Sequence, residues 1–154
     1  MIKIERKYMA HFIEASEGVY VRLGQDLEEF SPELSASVEK TRNILGQTSV
    51  AVTGYEKSAS VTPYYARVGD PLFQRLQAII DGDLVLDDLK TKVVEVKLWE
   101  EVDGGFAAVE EEVYLEINSY GGDTNGYQIP FTIHYTGVKR KGVFDVNGKT
   151  FTEA

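Results

Sequence analysis

Two histidines, no cysteine and twenty-five carboxylates are the groups from which acid-base, thiol or metal chemistry would have to be built in this 154-residue sequence. Without cysteine there is no thiol nucleophile, no disulfide scaffold and no Cys-ligated zinc or iron-sulfur site. A hydroxyl nucleophile needs a base within hydrogen-bond reach and an acid to orient that base. His11, near Tyr8 and Glu14, and His134, inside TIHYT, both fall in strand-like stretches and read as packed or surface strand histidines. Two isolated histidines do not make a metal centre unless carboxylates or a second subunit complete it. The adjacent carboxylates Asp87–Asp88 and Glu100–Glu101 could serve general acid-base work, but neighbours on a strand or turn point in different directions. The glycine-rich run GGDTNG has neither a P-loop lysine nor a following helix pattern, and Asp81-x-Asp83 lacks the rest of an EF-hand. These residues predict a non-enzymatic chain with no cofactor and no metal.

The elements that would position any site are mostly strands. Val94, Val96 and Leu98 alternate with Val93, Glu95, Lys97 and Trp99, and Val109 to Ile117 alternates with Glu110, Glu112, Tyr114 and Glu116. A period of two predicts strands, here a hairpin turning at Glu100, Glu101, Asp103, Gly104 and Gly105, with three glutamates on its exposed side. Pro130 lacks the amide a central ladder needs and predicts an edge or bulge. Asn147-Gly148 predicts a closing hairpin. DPLFQRLQAIID, residues 70–81, is the one clear helix. Asp70 can cap it, Pro71 sits at its first position, Gly82 lies where it should stop, and Leu72, Phe73, Leu76, Ile79 and Ile80 form one apolar stripe. The whole predicts a single mainly-β domain, a sandwich or barrel of seven to ten strands with one helical lid.

Charge and composition divide the chain unevenly. Residues 1–80 carry nine Lys or Arg against ten Asp or Glu, and residues 81–154 carry seven against fifteen, which makes the net charge of −9 almost wholly a property of the second half. Such a surface repels phosphates, so ordinary nucleic-acid binding is disfavoured. The acids are either a solvated face or a wall that must meet DNA without holding it. The opening MIKIERKYMAHF lacks the apolar run of a secretory signal, and no stretch approaches the length of a membrane span. Residues 34–65 are rich in Ser, Thr, Val and Ala, with turn signals at Gly46 and Gly54. Val50 and Val52 alternate with Ala51 and Thr53, so a hairpin is expected, too poor in anchors to be stable alone. It must lie against its own domain or a neighbouring copy. Lys139, Arg140 and Lys141 read as a solvated turn between two strands, or as one half of a charge-complementary contact between copies.

Four stretches of this sequence, Leu23–Glu29 (LGQDLEE), Asn43–Val50 (NILGQTSV), Gly54–Glu56 (GYE) and Asp70–Phe73 (DPLF), resemble the major tail tube proteins of bacteriophages and prophages of Gram-positive hosts. The surrounding resemblance covers about half the chain. It implies the tail tube fold: two packed antiparallel sheets flanked by a helix, six copies closing a β-lined ring, and rings stacked head to tail. It further implies an N-terminal arm, about residues 1–8, and a long hairpin or loop, about residues 43–65, reaching neighbouring subunits. On that reading Asn43, Gly46, Thr48, Val50, Val52, Gly54 and Tyr55, with Lys139, Arg140 and Lys141, are the candidate inter-subunit contacts. Glu100, Glu101, Asp103, Glu110, Glu112 and Glu116 are the candidate lumen-facing acids. The implied partners are further copies of the chain, tape measure, distal tail and terminator proteins, and DNA in non-binding transit, with no membrane insertion. The implied location is the virion tail, after a soluble stage in the host cytoplasm. A tail terminator, a joining protein, the tube of a phage-derived bacteriocin and an intracellular ligand-binding β-barrel are the alternatives.

Overall fold

Alternation of apolar and polar residues is realised as eleven strands around one α-helix; the structure is a computed structural model describing residues 1–154. The strands are β1 (Met9–Ser16), β2 (Val19–Arg22), β3 (Ala36–Arg42), β4 (Thr48–Tyr55), β5 (Ser58–Val61), β6 (Lys90–Val102), β7 (Gly105–Ile117), β8 (Gly121–Asp123), β9 (Gly126–Gln128), β10 (Phe131–Asp145) and β11 (Thr150–Glu153). The helix α1 runs Pro71–Gly82, between β5 and β6. Seven strands form one antiparallel sheet in the order β11-β10-β7-β6-β1-β2, with β5 also pairing β10, while β3–β4 and β8–β9 are separate two-stranded ribbons.

The main sheet is buried on both faces, at different places along its strands. In-register pairing puts Ile13, Val93, Val113, Leu115, Phe131 and Ile133 on one face, where they meet Leu72, Leu76 and Ile79 of α1. The alternate residues Ala10, Phe12, Val94, Val96, Ala108 and Phe144 point to the other face and form a second core. That second core exists because the sheet curls. Tyr20 on the edge strand β2 reaches Phe144 on β10, with three strands between them in the ladder and ring centroids 5.6 Å apart, and Phe12 lies 4.6 Å from the same ring. Register breaks between Lys97 and Glu101 and between Tyr135 and Lys139 supply the extra twist that bends such long strands. The result is a mainly-β fold with a nearly closed, barrel-like sheet and one flanking helix. Of the sandwich and barrel that the alternation allows, this is the barrel-like form, and the two packed sheets implied by the resemblance are here one seven-stranded sheet that curls back on itself.

The helix starts as its residues dictate: Asp70 Oδ1 accepts from the Leu72 amide at 3.0 Å, Tyr64 donates its hydroxyl to Asp70 Oδ2 at 2.6 Å, and Pro71 opens the first turn. Its end differs by one residue. Gly82 is the last helical residue, and Asp83 takes the left-handed conformation at φ 47°, one that Asp tolerates better than most non-glycine residues. The β6–β7 turn is also tighter than the residue types suggest. Asp103 and Gly104, both with positive φ, make it alone, so Glu100 and Glu101 belong to β6.

The largest departure lies at Lys139–Lys141. These residues are no turn; they sit inside β10, which runs unbroken to Asp145 because Lys139, Arg140 and Lys141 pair in register with Glu111, Glu110 and Val109. Two opposite-charge cross-strand pairs hold as a ladder what reads in sequence as a polar break.

Candidate assembly surface

The β3–β4 hairpin leaves the body as a two-stranded ribbon, and nearly every residue of both strands is exposed. Its pairing places Val38 opposite Val52 and Lys40 opposite Val50, with Arg42 opposite Thr48. These six share one face. The other face carries Glu39, Thr41, Ser49 and Ala51. A hairpin with one aliphatic face and nothing against it is marginal in water, because two strands alone bury too little. At the tip Asn43 fixes the loop: its Oδ1 accepts from the Leu45 and Gln47 amides, each at 3.0 Å, and its Nδ2 donates to Gln47 Oε1 at 2.7 Å. Gly46, at φ 79°, supplies the left-handed residue. This ordered tip holds Ile44 and Leu45 outward at 102% and 78% relative exposure.

Residues 43–65 therefore divide. Asn43, Gly46, Thr48, Val50, Val52, Gly54 and Tyr55 all lie on the projecting ribbon, which begins earlier than Asn43, at Ala36. Residues 58–61 do not project; they are β5, paired to β10, with Ala59 and Val61 buried in the body's own core. Ile44, Leu45 and Val38 are the residues that the sequence reading passes over. For Ile44 and Leu45 the signal is aliphatic side chains in a turn, where polar residues are the rule; for Val38 it is the alternation with Glu39 on β3. The arm, residues 1–8, is exposed throughout, and its root is pinned where Arg6 donates to the Phe30 and Met9 carbonyls at 2.9 and 2.6 Å.

An ion cluster sets the direction in which the ribbon leaves. Lys57, immediately after it, donates to both oxygens of Glu111 at 3.0 and 3.2 Å, lies 3.7 Å from Glu95 and sits over the Tyr135 ring at 4.6 Å. Burial, then Glu111 and Glu95, pushes the Tyr135 hydroxyl well above its ordinary pKa. The backbone continues the anchor, since Glu33 and Ser58 exchange amide-carbonyl bonds of 2.7 and 3.0 Å and Glu56 donates to the Leu34 carbonyl at 3.0 Å.

The candidate acids separate into two groups. Glu110 is not on an exposed face: only 5% accessible, it accepts from Arg140 Nε at 2.9 Å and lies 3.9 Å from Lys92, because the sheet curls over it. Glu112 pairs with Lys90 at 3.4 Å and Glu116 with His134 at 2.6 Å. Glu100, Glu101 and Asp103 are exposed and take part in no ion pair. They stand at the far end of β7 from Glu116, about 30–35 Å along the strand. Among the cations, Lys139 pairs with Glu111 at 3.5 Å and Arg140 with Glu110 and, at 2.7 Å, Glu153, which leaves Lys141 alone of the three without a carboxylate.

His11 is buried against Phe30, its ring centroid 4.7 Å away, with no hydrogen-bond partner at Nδ1. Burial, then the charges of Arg6, Lys57 and Arg22, pulls its pKa down from 6.5 to about 3. Between those values the unfolded chain binds a proton at this site and the folded chain does not, so stability falls as pH drops below 6.5. Urea unfolding should lose about 2 kcal/mol between pH 7 and pH 5 from this group, and His11→Leu should flatten that part of the profile.

Compared with known proteins, the sequence matches no family model and no curated protein. No helix is long and apolar enough to cross a membrane.

Proposed function

We propose that this chain is a structural subunit that assembles with copies of itself through the β3–β4 hairpin. The particular assembly we assign is the tube of a bacteriophage tail, six copies to a ring and rings stacked head to tail, in line with the resemblance carried by Leu23–Glu29, Asn43–Val50, Gly54–Glu56 and Asp70–Phe73. The observation that carries this reading is the bare aliphatic face and tip of an otherwise ordered hairpin, Val38, Val50, Val52, Ile44 and Leu45. A monomer gains nothing from such a surface, whereas a neighbour that covers it gains burial at about 25 cal/mol per Å². The barrel interior favours assembly over ligand storage, since Phe12, Tyr20 and Phe144 fill it.

In such a tube DNA passes without being held. Basic side chains along the bore would grip phosphates through many contacts at once, each strengthened by counterion release, and a negative wall avoids that trap. Glu100, Glu101 and Asp103, exposed and without cation partners, are the acids we assign to the bore or its rim; Glu110 is neutralised inside the fold. Tape measure, distal tail and terminator proteins are the partners this role entails, in the virion tail after a soluble stage in the host cytoplasm.

Negative-stain microscopy of the concentrated protein tests the reading: rings or hollow tubes are expected. A species that stays monomeric at every concentration in sedimentation velocity overturns it. In a map of the tube, a bore lined by lysines and arginines with these three acids outside would refute the DNA-transit role.

A further inference from the structure

We infer that the hairpin tip of one copy seats in the apolar groove between the end of α1 and the end of β7 on the next copy, an inference that rests on the self-assembly reading above. The open groove, of about 580 Å³, is lined by Ile80, Leu84, Ile117 and the exposed Val85 and Tyr120, together with Asp83 and the His134-paired Glu116. Two more acids lie close in sequence, Asp87 and Asp88 on the short 3-10 turn Leu86–Leu89 that follows Val85. The hairpin presents the complementary chemistry. Ile44 and Leu45 form its tip, and Lys40 and Arg42 flank Val50 on its aliphatic face. Neither Lys40 nor Arg42 takes part in an ion pair within its own chain, and Asp83, Asp87 and Asp88 likewise have no cation partner.

Apolar tip into apolar groove, with cations arriving at its acidic residues, gives both the burial and the orientation of a specific contact. Within its own chain the ribbon makes no extensive contact with another element, so its tip is free to reach a groove on another copy. From its root at Leu34 the ribbon reaches about 30 Å, enough to cross to another subunit. Hairpin and groove are different surfaces, so two copies that exchange hairpins reciprocally make a two-fold dimer, while a one-way exchange is heterologous. The one-way exchange closes a ring or propagates a filament, as the tube reading requires.

The chain has no cysteine, so single thiols can be placed without background. Ile44→Cys and Val85→Cys, both at exposed positions, are mixed and oxidised under assembly conditions. The expected product is the mixed I44C–V85C disulfide, and the variant carrying both changes gives a ladder of covalent oligomers. Assembly without that cross-link overturns the groove assignment alone. So does preferential cross-linking of Val85→Cys to Ile2→Cys, which would put the N-terminal arm in the groove. Failure of the unmodified protein to assemble at any concentration overturns both this inference and the self-assembly reading. As an independent measure, the double change Ile44→Asp, Leu45→Asp should raise the concentration needed for assembly roughly ten-fold or more, while leaving thermal unfolding of the subunit unchanged; an unaltered assembly threshold counts against the contact.

Discussion

Excising residues 36–55 and joining Ser35 to Glu56 through a short glycine-serine turn should leave a folded monomer that no longer polymerises. The ribbon is its own sheet, and its strands pair only with each other. Its valines and the Ile44–Leu45 tip are exposed in the monomer, so they contribute almost nothing to the free energy that separates folded from unfolded chain. Both body cores lie outside the excised segment. Thermal unfolding should therefore move by no more than a few degrees, while sedimentation and microscopy lose every species larger than the monomer. If the excised protein unfolds cooperatively at a much lower temperature, the ribbon is part of the body's own stability and the assembly role is wrong. If it still forms tubes, the contact lies elsewhere.

Lys57→Met should be the most damaging single change at the root of the ribbon, destabilising the subunit by about 3 kcal/mol or more. Glu111 is almost wholly inaccessible, and Lys57 is its closest cation, making two bonds to it and lying beside Glu95 as well. Removing the ammonium leaves one carboxylate buried beside another, with only the more exposed Lys139 to offset them. Breaking one partner of such a pair costs more than replacing both. The combined change Lys57→Met, Glu111→Leu should consequently recover much of the loss in urea denaturation. Equal losses in the single and double variants would mean that packing of the lysine stem, rather than the charge, is what stabilises this junction.

The helix is almost fully legible, because its cap, first-turn proline and apolar stripe are all local signals; only its stop moves, from Gly82, which is the last helical residue, to Asp83, which takes the left-handed conformation. The strands of the β6–β7 hairpin were legible by alternation for the same reason. Lys139–Lys141 were not. Three consecutive cations suggest a solvated turn, and nothing within the sequence neighbourhood says that Glu110 and Glu111, about thirty residues earlier, stand opposite them. Glu110 itself reads as exposed because alternation gives the face of a strand but not whether that face curls inward.

Local spacing and composition determined that the chain is mainly β with one helix, that its second half is acidic, and that its Ser/Thr/Val-rich middle is poor in core anchors. These follow from side-chain chemistry acting over a few residues. Tertiary structure decided where along residues 34–65 the ribbon ends and the core strand begins, which acids are neutralised and which stand free, and that an apolar groove with acidic residues in its lining lies at the end of β7. Each of these depends on register and curl between strands distant in sequence, set by the sum of many pairings and carried by no single stretch of the chain.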